Sequence, residues 1–174
     1  MTKWIVDGAH TDIGFSVKHM MVSKVRGSFT EKEGVIEGNP EDLTNAKINF
    51  KIDTASINTN NNDRDNHLRS ADFFDAEQYP AITFASTDIA KTGNNAYEIT
   101  GDMTIKDVTK KITFDASFEG TGTNPWGVEV VGFEAKGKIS RKEFGLTWNQ
   151  ALETGGVLVG DEIIITIELQ ANPA

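Results

Sequence analysis

The stretch NNNDRDNHLRSADFFD, residues 60–75, gathers side chains that could do chemistry. Asp63, Asp65 and Asp72 stand close to Arg64, Arg69 and His67. Paired carboxylates beside a histidine suit general acid–base work or metal binding. A structural account competes with this. Asn61 or Asn62 can cap a helix, with Asp63 and Asp65 in the first turn, where the helix dipole favours negative charge. Asp63 with His67 and Asp65 with Arg69 are i, i+4 pairs. Capping and pairing explain the charges, and only His67 stays open.

The three histidines, His10, His19 and His67, show no HxH or HxxxH spacing. Only a site assembled from all three in space would bind a metal, and no metal is expected. His10 stands at a strand start, where it can satisfy local groups. His19 falls on the apolar parity of its strand. It is either a hydrogen-bonded core histidine or a polar contact at the end of a cavity. No GxSxG elbow is present, and His67 neighbours no obvious nucleophile, so no catalytic residue is assigned. Lys18, His19, Lys24 and Arg26 form a basic cluster in a chain of net charge −9. Lys18, Lys24 and Arg26, with Arg141, could contact an anionic head group. Alternatively, the lysines are a solvated strand face and Arg141 bonds loop carbonyls.

The elements that must hold these residues are strands. Alternation with period two dominates. Ile13, Phe15, Val17, His19 and Met21 share one parity. Val25, Gly27 and Phe29 follow, then Ile48, Phe50 and Ile52, then Ile82 and Phe84. Ile99, Gly101, Met103 and Ile105 form another face, as do Ile112, Phe114, Ala116 and Phe118. Val131, Phe133, Ala135, Gly137 and Ile139 precede the final run, in which Ile163, Ile165, Ile167 and Leu169 alternate. About nine strand-like runs predict an all-β, mostly antiparallel sheet that removes its edges by closing into a barrel of about eight strands. Thr92 to Asn95 and Lys106-Asp107 read as hairpin turns, and Gly120 to Gly127 as a polar loop. Residues 62–76 alone read as a short helical crossover, with Leu68 and Phe74 on its apolar face beside His67. The 174 residues predict a single domain.

Inner-parity side chains decide whether such a barrel is solid or hollow. Phenylalanines alternate there with small residues, Gly27, Gly101, Ala116, Ala135 and Gly137. Glycine inside a strand marks either a bend or room for a ligand. The combination favours an elongated apolar tunnel. Its expected lining is Ile13, Phe15, Val17, His19, Phe29, Phe50, His67, Leu68, Phe74, Phe84, Ile99, Gly101, Met103, Phe114, Phe133 and Gly137. Strands of ten to thirteen residues span roughly 33–43 Å. Each buried methylene contributes about 0.8 kcal/mol. A long aliphatic chain therefore binds such a tunnel without specific hydrogen bonds.

Several stretches resemble the YceI-like, polyisoprenoid-binding family. They are Trp4-Ile5-Val6-Asp7, His10-Thr11, Phe15 to His19 and Val25 to Phe29. RDNHLRSADFFD with Tyr79-Pro80, Gly101 to Ile105 with Val108-Thr109, RKEFG at Arg141 to Gly145, and Val159-Gly160-Asp161 continue the match in order. The resemblance spans essentially the whole chain. It implies a lipocalin-like antiparallel barrel with a helical crossover, and a tunnel for isoprenoid or similar amphiphiles, often in a homodimer. Asp107 stands where the family usually has glycine, and Asp tolerates the left-handed turn conformation. Thr11 replaces the usual serine.

Net charge −9 argues against non-specific nucleic-acid binding, and no segment is apolar enough for stable membrane insertion. Zero cysteines exclude disulfides and thiolate chemistry. Many relatives are exported, but the N-terminus shows no signal-peptide pattern, so the expected compartment is the cytoplasm. The expected function is non-enzymatic: binding a polyisoprenoid, isoprenoid quinone or fatty-acid-like lipid for storage, sequestration or transport, without a cofactor. The alternatives are an enzyme acting on such a molecule through His19 and His67, and a solid barrel serving as an interaction module.

Overall fold

The computed structural model describes residues 2–20, 22–149 and 159–174. Strands appear where apolar and polar residues alternate: β1 (Lys3–Val6), β2 (Asp12–His19), β3 (Ser23–Phe29), β4 (Lys32–Asn39), β5 (Asp42–Asp53), β6 (Ile57–Asn58), β7 (Ala81–Gly93), β8 (Ala96–Ile105), β9 (Val108–Thr123), β10 (Glu129–Ser140) and β11 (Val159–Pro173). One α-helix, α1 (Asn62–Arg69), lies among them. All the pairings are antiparallel.

Eight strands close a barrel in the order β1-β4-β5-β7-β8-β9-β10-β11, sealed where Trp4 pairs with Pro173 and Val6 with Ala171. β2 continues along the same edge of β11, Glu168 opposite Asp12 and Val159 opposite His19. β3 pairs with β2, and β6 with β3. Together β2, β3 and β6 extend the wall past one rim, where α1 also crosses between β6 and β7. The core lies inside, with Trp4, Ile36, Leu43, Ile99, Phe114, Val131, Phe144 and Ala171 among its buried residues.

Local chemistry explains where the sequence pattern misplaces boundaries. The run through Val25, Gly27 and Phe29 ends as β3, and the chain turns into β4 where the Thr30 N–H donates to the Ser56 carbonyl and the Asp53 N–H to the Glu31 carbonyl. Gly120 to Thr123 belong to β9 rather than to a loop: the register shifts beside Gly132, and Gly120 takes a left-handed φ of 125°. The Lys106-Asp107 turn forms as expected, both residues having left-handed φ, 52° and 65°. The alternation through β2 stops at His19, since Met20 adopts φ 55°. Met21 lies outside the described residues.

The helix is shorter than residues 62–76. Asn61 caps it by accepting from the Arg64 N–H at 3.0 Å. Ser70 ends it with extended backbone and a hydroxyl bond to the His67 carbonyl. Turns then carry the chain to Tyr79. The i, i+4 pairs do not form, because the buried structure beneath the helix offers better partners. Asp65 is buried and accepts from the Thr59 N–H at 2.8 Å and the Thr59 hydroxyl at 2.5 Å. Arg69 donates to the carbonyls of Ala55 at 2.8 Å and Ile57 at 3.1 Å. The charges of this stretch therefore fasten α1 to the segment before it.

Candidate functional site

The barrel is hollow. A cavity of about 490 Å³ runs inside it, within the size range of small-molecule sites. Its deep part is lined by Ile36, Leu43, Ile48, Ile99, Ala116 and Phe133. Side chains of Phe29, Phe50, Phe84, Met103 and Phe114 form its middle walls, with Ile163, Ile165 and Ile167 from β11. Polar side chains collect mainly at the rim that β2, α1 and the Arg141 segment share: Lys18, His19, Asp63, Arg64, His67 and Arg141.

Of the residues expected to line a tunnel, Ile13, Phe15, Val17, His19, Phe29, Phe50, His67, Leu68, Phe74, Phe84, Ile99, Met103, Phe114 and Phe133 all border this cavity. Gly101 and Gly137 do not. A Cβ on Gly101 would stand 2.6 Å from Phe84 Cζ and clash with the Ala85 carbonyl oxygen. One on Gly137 would stand 2.7 Å from Phe114 Cδ1. Each glycine is roofed by a phenylalanine from the neighbouring strand, and it is that ring which faces the cavity. The same cover recurs where Phe15 lies over Gly27 and Phe50 over Gly34. The small residues that do border the space are Gly14, Ala116 and Ala135, the last two directly paired across β9 and β10.

The four cations expected at a head group separate. Lys24 and Arg26 are exposed on the outer face of β3 and border no part of the cavity. Their even parity puts them opposite Lys18 and Ser16 on the side away from Phe15 and Val17. Lys18 touches the rim and is otherwise exposed. Arg141 borders the cavity but is only 2% exposed. Its guanidinium donates to the carbonyls of Leu146 at 2.6 Å, Gly160 at 2.7 Å, Trp148 at 2.9 Å and Val159 at 3.1 Å. Burial pulls its pKa down, and the charge of Asp161 pulls it back up. Asp161 accepts from the Ser140 hydroxyl at 2.6 Å and the Lys142 N–H at 3.1 Å. Arg141 thus ties together the backbone segments on either side of residues 150–158.

The histidines do three separate jobs. His10 bonds Asp7 at 2.8 Å on the exposed surface, and this bond is the main reason that Asp7 is held below the usual carboxylate range. His67 bonds Asp72 at 3.0 Å. Its ring meets Trp148 edge-on, centroids 4.7 Å apart, and Phe73 at 5.0 Å. His19 is half-buried at the rim, and among the described residues its imidazole has no hydrogen-bond partner. No group of three potential ligands suited to a metal occurs among the described residues.

Arg64 and Trp148 also border the cavity, although neither is among the residues expected to line it. Arg64 donates through Nε to the Thr59 hydroxyl and through Nη2 to the Thr59 carbonyl, both at 2.8 Å. Its Nη1 has no partner among the described residues. Its only sequence signal was a position one turn before His67 and Leu68 on the helix. Trp148 lies beyond the RKEFG segment in non-repetitive chain, and no period pointed to it.

A YceI-like domain model matches residues 4–171. The chain belongs to the YceI-like family. UPF0312 proteins of Staphylococcus aureus USA300 and Staphylococcus epidermidis RP62A are 42% and 44% identical to this YceI-like chain over 164 residues, covering 94% of it and 93% of their own length. A Campylobacter jejuni YCEI protein of known structure is 39% identical, with a TM-score of 0.75 and 95% of each chain covered. BcnA of Burkholderia cenocepacia superimposes with a TM-score of 0.83 at 26% identity, over 95% of this chain and 98% of its own. A polyisoprenoid binding domain from Saccharophagus degradans shares the fold at a TM-score of 0.72 and 12% identity, with both chains fully covered. In this YceI-like chain the antiparallel barrel encloses an apolar cavity.

Proposed function

We propose that this YceI-like chain binds one long-chain amphiphile, a polyisoprenoid, isoprenoid quinone or fatty-acid-like lipid, for storage, sequestration or transport. The carrying observation is the division of the cavity into a deep apolar part and one polar rim. An alkyl or isoprenoid chain gains from leaving water at every buried carbon. It makes no demand for hydrogen bonds that the deep walls would leave unmet. The polar end then rests at the rim beside His19 and Arg64 Nη1, whose capacity for hydrogen bonding is unspent among the described residues. The polyisoprenoid binding domain of Saccharophagus degradans has the same fold, which supports this ligand class.

Family membership and the cavity's composition favour a binding role over a catalytic one. His67 is held by Asp72 and aromatic rings, and its hydrogen bonding does not reach a hydroxyl nucleophile among the described residues.

Trp148 provides the test. It borders the cavity, whereas Trp126 is 83% exposed and Trp4 packs elsewhere in the core. Titration with geranylgeraniol should change tryptophan emission saturably. Trp148→Phe should remove that change while radiolabelled geranylgeraniol still co-elutes with the folded variant. A wild-type chain that retains none of the alcohol overturns the reading.

A further inference from the structure

The β2–β3 hairpin carries a surface that the cavity does not use. Its tip exposes Met20 (49%) and Val22 (89%), the latter standing almost wholly in solvent. Large apolar side chains at a hairpin tip gain nothing from water. Immediately behind them are Lys18, Lys24 and Arg26, exposed on the outer face, with Lys18 directly opposite Lys24. None of the three makes an ion pair or side-chain hydrogen bond among the described residues. The chain carries 26 acids and a net charge of −9, yet residues 13–30 contain no acid. This is the longest acid-free stretch in the sequence. Three exposed cations without an ion pair among the described residues thus stand beside the exposed Val22, while β11 brings Asp161 and Glu162 to the bulge opposite Lys18 alone.

The opposite face of the same hairpin, through Val17, His19 and Val25, borders the rim of the cavity. We propose that the hairpin tip docks on an anionic lipid bilayer, Met20 and Val22 entering the interface and Lys18, Lys24 and Arg26 facing lipid phosphates. An apolar tip with a basic collar has the two components of interfacial membrane binding, buried apolar area and attraction to anionic head groups. A protein partner would also accept apolar side chains. The three cations, drawn from a stretch with no acid between Ile13 and Thr30, favour a surface of repeated anions. Docked this way, the rim faces the leaflet, so an amphiphile passes between bilayer and cavity without crossing water. That transfer step rests on the binding function proposed above; the docking itself does not.

The test uses the full chain and phospholipid vesicles. Because the chain has no cysteine, Val22→Cys gives a single attachment site for an environment-sensitive fluorophore. Trp126→Cys, in the β9–β10 turn at the other end of the barrel, is the control. Labelled Val22→Cys should shift to the blue with vesicles containing phosphatidylglycerol, and not with phosphatidylcholine alone; labelled Trp126→Cys should not shift with either. Lys18→Gln, Lys24→Gln and Arg26→Gln combined should lower vesicle partitioning about a hundredfold, near fivefold for each basic residue removed. Val22→Ser should weaken it further. Equal binding to both vesicle types, no binding, a shift at the Trp126 position instead, or full binding by the triple variant overturns docking. Geranylgeraniol retention, measured without vesicles, reports separately on the cavity and should be unchanged in Val22→Ser and in the Lys24→Gln, Arg26→Gln double variant, whose positions border no part of it.

Discussion

Arg141 donates through Nη1 to the carbonyl oxygen of Trp148 at 2.9 Å, so a buried cation anchors the backbone of the residue whose ring packs edge-on against His67. Three further carbonyls share the same guanidinium. Removing it leaves several buried acceptors unpaired at once. Arg141→Met should lower unfolding free energy by about 3 kcal/mol or more in denaturant titrations. Arg141→Lys should recover only part of this, because one ammonium cannot span four acceptors in a planar fork.

Asp161 supports the same corner, and its effect depends on pH. Burial tends to raise its pKa, but bonds from Ser140 and Lys142 and the charges of Lys142 and Arg141 outweigh this and bring it below the ordinary 3.8. A carboxyl with a lowered pKa in the fold contributes stability that is complete above 3.8 and is lost as pH falls through the folded value. Asp161→Asn should therefore be less stable than wild type at neutral pH. The difference should shrink in acid, as followed by urea unfolding across the acidic range.

Gly101 and Gly137 act through packing. Gly137→Ala pushes a methyl group into Phe114 and should cost about 1–3 kcal/mol. Retention of geranylgeraniol by the folded variant should persist, since this position does not border the cavity. Loss of retention with unchanged stability would contradict that placement.

Ala116 is the converse case. It borders the deep cavity, is paired with Ala135 and lies between strands that supply bulky neighbours. Ala116→Phe should fill the space that a chain would occupy. The variant should fold, with native-like circular dichroism, and lose most long-chain binding. A shorter probe such as geraniol should be affected less.

Alternation made the barrel legible, because period two states directly which side chains face inward. It also placed most of the cavity wall, from Ile13 to Phe133. It could not distinguish a glycine that opens space from one roofed by a ring. Gly101 and Gly137 depend on where Phe84 and Phe114 turn, which is a tertiary relationship. The same period puts Lys24 and Arg26, which alternate with Val25 and Gly27, on the outer face and His19, on the parity of Phe15 and Val17, on the inner one, so the basic cluster never shared one face. The dense stretch around Asp65 misled for a related reason: Thr59, outside the helix, offered Asp65 two bonds where Arg69 offered a solvent-exposed pair. Trp148 had no period to reveal it.

Native mass spectrometry of the folded protein incubated with geranylgeraniol tests most directly whether the cavity holds one long apolar chain. A one-to-one adduct in wild type that disappears in Ala116→Phe is the predicted result. Folded wild type without an adduct, or equal adducts in both proteins, would contradict it.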